Sequence, residues 1–152
     1  MTHIEHCVII PAPLDKVFPY VSDYRTWPDW FEGVSEFTPT TAITLGNGAR
    51  YAYRVRMMGV RVRVETEIIN FAMNRGWTGV SAKGVNARTY WNFDSMGDET
   101  KFAYALEYQM PLPLLGSLID SLFIKPQWHK IIAHSLHNLK QHFAEPSIHT
   151  PG

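Results

Sequence analysis

A chain of 152 residues with 14 basic and 14 acidic side chains carries no net charge and has a pI near 7.1, so it lacks the cationic excess of a duplex nucleic-acid binder. Its one cysteine, Cys7, cannot build an internal disulfide framework and fits a reducing compartment. No run of about 18 apolar residues is present to cross a membrane, and no basic-then-apolar leader opens the chain, so the expectation is a cytoplasmic protein.

The size suits one domain that buries roughly 70% of its unfolded surface and needs no disulfide or metal staple. Aromatic residues make up 13% of the chain. Such residues either fill a core or wall a cavity.

His3–Ile10 reads as a strand that Pro11 ends. Pro13 then occupies the first turn of a helix running to about Ser22, where proline is tolerated. Leu14, Val17, Phe18 and Val21 form its buried stripe, and Pro19 lies within it as a source of bending. A short helix or turn covers Tyr24–Phe31, an aromatic knot with Trp27 and Trp30. Runs of period two follow: Val34–Thr40, Arg50–Met57, Val60–Asn70, Trp77–Ala82, Arg88–Ser95 and Lys101–Met110. Gly46-Asn47-Gly48, Met58-Gly59, Lys83-Gly84 and Gly97-Asp98 supply turns between them. Regular spacing with short turns predicts an antiparallel meander.

A final helix is predicted from about Leu114 to Ala144, kinked or split at Pro126. From Trp128 onward one face holds Trp128, Ile131, Ile132, Ser135, Leu136, Leu139 and Phe143. Lys130, His134, His137, Lys140 and Gln141 lie opposite. That is a helix laid across a sheet. The tail after Glu145, PSIHTPG, has two prolines and little to pack, and is predicted loose.

Alternation assigns the faces of the sheet. Tyr51, Tyr53, Val55 and Met57 oppose Arg50, Arg54 and Arg56. Val60, Val62, Val64, Thr66 and Ile68 oppose Arg61, Arg63, Glu65 and Glu67. Both patterns hold across one hairpin if Met58-Gly59 is a two-residue turn, which pairs Val55 with Val62, Tyr53 with Val64 and Tyr51 with Thr66. Phe102, Tyr104, Leu106, Tyr108 and Met110 form the inward set of the last strand. Thr89, Trp91 and Phe93 do so in the strand before it, and Trp77 is a further inward residue.

This inward set is apolar but carries hydroxyls at Tyr51, Tyr53, Thr66, Thr89, Tyr104 and Tyr108. A buried hydroxyl without a partner costs roughly 1–3 kcal/mol. Either these groups bond to one another and to backbone in a solid core, or they line a cavity holding water or ligand. A long twisted sheet under a single helix is hard to fill with side chains alone, which favours a cavity. Ser135, in the middle of the helix's apolar face, either bonds back to a carbonyl one turn earlier or reaches a ligand. The candidate ligand-binding residues are therefore Tyr51, Tyr53, Val64, Thr66, Trp77, Thr89, Trp91, Tyr104, Leu106, Tyr108 and Ser135.

The stretch IIPAPLDKVFPYVSDYRTWPDW resembles the opening of the START-like helix-grip superfamily, in its polyketide cyclase/dehydrase and lipid-transport branch. The shared features are an apolar strand into Pro11-Ala12-Pro13, Val17-Phe18, Ser22-Asp23, and Trp27-Pro28 followed by Trp30. Trp91-Asn92-Phe93 before the Gly97-Asp98 turn and a closing helix with Leu139-Lys140 extend the likeness from about His3 to Ala144. It implies an α+β helix-grip fold: a seven-stranded antiparallel sheet wrapped around a long C-terminal helix, with two short helices after the first strand. It also implies one ligand-binding domain over residues 1–145 and a tail over residues 146–152. Members bind sterols, lipids, polyketides or quinones between sheet and helix, and a minority cyclise polyketides. They share no portable catalytic motif, so no catalytic residue and no cofactor carries over.

Other chemistry finds little footing. The seven histidines include His134, His137 and His142, but the first two point away from the apolar face. No HExxH is present and Cys7 has no partner at metal spacing, so no metal is expected. His6 reads as a satisfied core histidine rather than a base. No G-x-S-x-G elbow or glycine-rich phosphate loop appears. Tyr53, Tyr104 and Tyr108 could act as weak acids that orient a reactive chain. On the outer face the hairpin register sets Arg56 opposite Arg61 and Arg54 opposite Arg63, which destabilises a sheet. This cluster is either a docking face for a lipid headgroup, carrier protein or acidic partner, or a solvated face neutralised by Glu36 and Glu65. Pro111-Leu112-Pro113-Leu114-Leu115-Gly116 either packs on Trp27, Trp30 and Phe31 or gates the tunnel mouth.

The expectation is a carrier or sensor of a small hydrophobic or amphipathic ligand such as a lipid, polyketide or quinone, with a polyketide cyclase or dehydratase as the alternative. Transient membrane or carrier-protein contact fits the arginine face. Edge strands offer a surface for a homodimer.

Overall fold

The computed structural model describes residues 2–57, 59–83, 86–109 and 118–144. In chain order these form β1 (Thr2–Ile10), α1 (Leu14–Val21), a 3-10 turn (Tyr24–Thr26), α2 (Trp27–Trp30) and β2 (Val34–Pro39). Then come β3 (Arg50–Met57), β4 (Val60–Ala72), β5 (Gly76–Lys83), β6 (Ala87–Met96), β7 (Glu99–Tyr108), a π-turn (Asp120–Ile124) and α3 (Lys125–Ala144). The strands make one seven-stranded antiparallel sheet in the order β1-β7-β6-β5-β4-β3-β2. β2 to β7 form the expected meander, and β1 closes on β7. Residues 11–33 therefore travel from one edge of the sheet to the other, carrying α1 and α2 across its inner face. This is the α+β helix-grip architecture.

The β3–β4 register is the expected one: Met57 pairs with Val60, Val55 with Val62, Tyr53 with Val64 and Tyr51 with Thr66. Gly59 takes φ +81°, a backbone conformation that suits glycine in a two-residue turn. β2 is less regular than its alternation suggests. Its register shifts between Ser35 and Thr38, with Glu36 at φ +58°, so a bulge bends this edge strand. Gly76 opens β5 at φ +135°, where a Cβ would sit 1.7 Å from the Trp91 carbonyl oxygen. No side chain fits that approach.

α1 buries Val17, Phe18 and Val21. Pro13 is its N-cap rather than its first helical residue, and Pro19 sits inside the helix near its C-terminal end. Trp27 holds the following turn by donating from Nε1 to the Val21 carbonyl at 2.7 Å. α3 buries Ile131, Ile132, Ser135, Leu136 and Leu139 and packs on β1, where the His6 and His129 ring nitrogens are 2.9 Å apart in a hydrogen bond.

The expected break at Pro126 is displaced. Pro126 lies in the first turn of α3, and the irregularity is the π-turn just before it. A proline ring clashes with the carbonyl four residues back, here that of Leu122. Widening residues 120–124 into a π-turn relieves the clash. The Pro111–Gly116 loop and the tail from Glu145 lie outside the described residues.

Candidate functional site

Between the inner face of the sheet and the start of α3 lies a cavity of about 260 Å³. β3 contributes Tyr51, Tyr53 and Val55; β4 contributes Val62, Val64, Thr66 and Ile68; β5 contributes Trp77, Gly79 and Ser81. Ala87, Thr89 and Trp91 of β6 and Tyr104, Leu106 and Tyr108 of β7 complete the sheet side. The opposite wall is Trp27, Phe31, Val34 and Phe37 with Ile124 and Trp128. Val62, next to the β3–β4 turn, is 37% exposed, and Ile68, toward the far end of β4, is 3% exposed. With Ile124 and Trp128 only half-buried, the space is more open at the Val62 end of β4 than at the Ile68 end.

Ten of the eleven residues expected to bind ligand line this one space: Tyr51, Tyr53, Val64, Thr66, Trp77, Thr89, Trp91, Tyr104, Leu106 and Tyr108. Ser135 does not. It is fully buried, donates to the Ile131 carbonyl at 2.7 Å and accepts from the Glu32 backbone N–H at 2.8 Å. Its hydroxyl ties α3 to the chain after α2, so it is a structural bond and not a cavity contact.

The hydroxyls in the wall differ in how they are satisfied. Tyr53 and Thr66 bond to each other at 2.8 Å. Thr89 accepts from Trp91 Nε1 at 3.2 Å. Tyr51 is 2% exposed, and its enclosed hydroxyl has no partner. Burial, reinforced by Tyr24 and Asp23, pushes its pKa up to about 12. Tyr104 is 4% exposed, and its hydroxyl has no hydrogen-bond partner among the described residues. Burial raises Tyr53 above the ordinary phenol and raises Tyr104 well above it. Tyr108 is raised by burial first and then by its bond to Asp120. At neutral pH these phenols are protonated. They are poor bases, and among them Tyr104 keeps its proton free of any partner among the described residues while its hydroxyl is not enclosed as that of Tyr51 is.

The sequence pattern missed Asp120. This carboxylate is buried and accepts from the Tyr108 hydroxyl and from Thr2 Oγ1. A single acid in the apolar run Leu-Ile-Asp-Ser-Leu-Phe was the available signal. The π-turn that presents it could not be read from helical periodicity. The wall residues Val34, Phe37, Ile124 and Trp128 were likewise not singled out as lining, because they lie on an edge strand and on a helix start.

On the outer face Arg54 lies opposite Arg63 and Arg56 opposite Arg61, as expected. Arg54 pairs with Glu36 at 3.1 Å. Glu65 is buried and accepts from Thr40 Oγ1 at 3.3 Å. Arg56, Arg61 and Arg63 are exposed and have no ion pair among the described residues. Among the described residues no group of three or more His, Cys, Asp or Glu side chains could hold a metal ion, and no helix is long and apolar enough to cross a membrane.

The family described as polyketide cyclase / dehydrase and lipid transport matches residues 1–144. Among solved structures, TTHA0849 from Thermus thermophilus is similar at 19% identity and TM-score 0.81, over 94% of this chain and 97% of that one. A START superfamily protein from Mycobacterium smegmatis is 15% identical with TM-score 0.70, over 93% and 97% of the two chains. The di-domain ARO/CYC BexL from the BE-7585A biosynthetic pathway is 17% identical with TM-score 0.69, over 99% of this chain and 48% of that one. At these identities the likeness is one of fold. No curated protein matches the sequence.

Proposed function

Because the chain belongs to the polyketide cyclase / dehydrase and lipid-transport family, we propose that it binds a small hydrophobic or amphipathic molecule in its internal cavity, as a carrier or sensor. One observation carries this reading: the cavity is walled by aromatic and aliphatic side chains, and no charged side chain is among its described lining residues. An apolar concavity with a few fixed polar groups is the usual form of a small-molecule site. Native mass spectrometry of the purified protein, followed by organic extraction, tests it. The expected result is a bound small molecule released by the solvent. A protein that comes up empty, and takes up no neutral aromatic probe on titration, would sink the proposal.

A second reading, a cyclase or dehydratase, is favoured by the Tyr108–Asp120 bond at the cavity wall. A phenol whose proton is held by a buried carboxylate keeps a fixed orientation, and its oxygen can accept from and orient a substrate hydroxyl. Replacing Tyr104 and Tyr108 with phenylalanine separates the two. A carrier changes affinity modestly, whereas a cyclase loses rate far more than affinity.

The face of Arg54, Arg56, Arg61 and Arg63 fits a docking role toward an anionic lipid headgroup. It is supported by the three arginines that lack a carboxylate partner among the described residues. Reversing Arg56 and Arg61 to glutamate should abolish salt-sensitive binding to vesicles containing phosphatidylglycerol. Unchanged vesicle binding would remove the idea.

A further inference from the structure

The polar groups of the cavity are arranged unevenly, and the unevenness bears on what it holds. The Tyr53 and Thr66 hydroxyls bond to each other, and the Thr89 hydroxyl accepts from Trp91 Nε1. Tyr108 is spent on Asp120. Tyr51 is unmatched as well, but its hydroxyl is sealed within the wall; Tyr104 differs from it in having a hydroxyl that is not sealed off. Its ring is held at the centre of the wall, 5.4 Å from Phe31 and 5.2 Å from Trp91, and the residue is 4% exposed. Its hydroxyl nevertheless has no partner among the described residues. A hydroxyl that opens on an apolar space with no partner in the fold is free to donate to a guest that brings an acceptor.

Charge narrows the guest further. The described lining contains no lysine, arginine, histidine, aspartate or glutamate. An ionised carboxylate or phosphate would lose its hydration there and gain no cation. Size narrows it again. An engineered apolar cavity of about 150 Å³ holds one benzene ring, so about 260 Å³ suits about two fused rings rather than a long acyl chain. The walls favour a flat guest: Trp77 and Trp91 stack at 4.8 Å with planes 24° apart, presenting indole surface to the space they line.

Resting on the ligand-binding reading above, we propose that the cavity selects an uncharged bicyclic aromatic carrying a carbonyl oxygen, and that Tyr104 donates the hydrogen bond that recognises that oxygen. The phenol suits this work. Burial keeps it protonated over the physiological range, so it is always a donor. A ligand lacking an acceptor leaves the hydroxyl unmatched, and an anion meets a wall with no counter-charge.

Three naphthalene probes of one shape test it: 2-acetylnaphthalene, its hydrocarbon isostere 2-isopropylnaphthalene, and 2-naphthoate. Quenching of the cavity tryptophans reports binding to wild type and to Tyr104→Phe. The quantity of interest is the change, from wild type to variant, in the affinity for the ketone divided by that for the isostere, because the cost of moving each probe from water cancels in that comparison. Loss of one hydrogen bond should lower this ratio about five- to tenfold in Tyr104→Phe while isostere affinity stays within about twofold. Naphthoate should bind wild type at least about tenfold more weakly than the ketone. An unchanged ratio in the variant overturns the role of Tyr104. Naphthoate binding as tightly as the ketone overturns the uncharged class. If the isostere binds but the ratio does not move, the cavity reading stands and this inference alone falls. If neither neutral probe binds wild type, both fall together. Phenylalanine keeps the ring and its packing, and retention of the wild-type thermal transition confirms that the variant is folded.

Discussion

The inner face of one sheet serves two ends of the molecule that look alike in composition and differ in what they enclose. At one end the rings of Phe18 and Phe93 are 5.0 Å apart, Phe18 and Trp77 6.0 Å, and Phe93 and Phe102 4.7 Å. At the other, Tyr53, Tyr104 and Tyr108 face a cavity. The strands are largely the same. The cover is not. α1 and α2 push Val17, Phe18, Val21 and Trp30 down onto the packed end, all of them buried. Over the hollow end the described cover is Trp27, Phe31, Val34 and Phe37 with Ile124 and Trp128, and the last two are only half-buried. A strand's alternation says which side chains look inward. Whether they meet a neighbour or a space depends on the element opposite.

The strongest way to break this contrast is truncation. Phe18→Ala should cost about 3–5 kcal/mol, because a fully buried ring leaves a void among rigid neighbours. Val64→Ala at the hollow end should cost no more than about 1.5 kcal/mol, since that side chain already borders empty space. Urea unfolding of both variants reads the difference. Equal losses would mean the two ends are packed alike.

Titration offers a second probe. Tyr51 sits where the ends meet, and its pKa is raised from 10.0 to about 12 by burial. The unfolded chain ionises near 10.0, so the folded state falls behind in proton release above that pH. The contribution is fully present below pH 10.0 and is lost as pH climbs toward 12. The loss for one such phenol is on the order of 2 kcal/mol. Tyr53, Tyr104 and Tyr108 are raised as well, so Tyr51→Phe should make the alkaline decline in stability shallower without abolishing it. An identical decline in the variant would show that the Tyr51 hydroxyl reaches solvent.

Filling the hollow end gives a third. Val64→Phe puts a ring into a cavity of about 260 Å³ and should weaken ligand uptake at least about tenfold while leaving stability within about 1–2 kcal/mol. A large loss of stability would mean that no room was there to take the ring.

Much of this was legible in the sequence. The β3–β4 register followed from two alternations and a two-residue turn, and Tyr51, Tyr53, Val64 and Thr66 all face the space that their parity required. For Ser135 a helical wheel left two readings open, and the bond back to the carbonyl one turn earlier is the one found. Its hydroxyl is taken up by Ile131 and Glu32, the latter 103 residues away in sequence. Asp120 stayed hidden for a different reason. Its orientation depends on a π-turn imposed by Pro126, and a wheel drawn at 3.6 residues per turn puts it elsewhere. Local pattern carried the sheet; long-range partners and an irregular turn decided the polar details.

The smallest expected effect sharpens the contrast most finely, because it compares two phenols within the hollow end. Tyr53 is matched to Thr66 and Tyr104 is unmatched among the described residues. Tyr53→Phe removes one partner of a bond and strands the other, so it should cost about 1 kcal/mol in the ligand-free protein. Tyr104→Phe removes a hydroxyl that has nothing to lose, and should leave stability unchanged or raise it by up to about 1 kcal/mol. The sign of the difference matters more than its size. If Tyr104→Phe were the more damaging of the two, its hydroxyl would already be engaged within the fold, and the cavity would have no free donor at its centre.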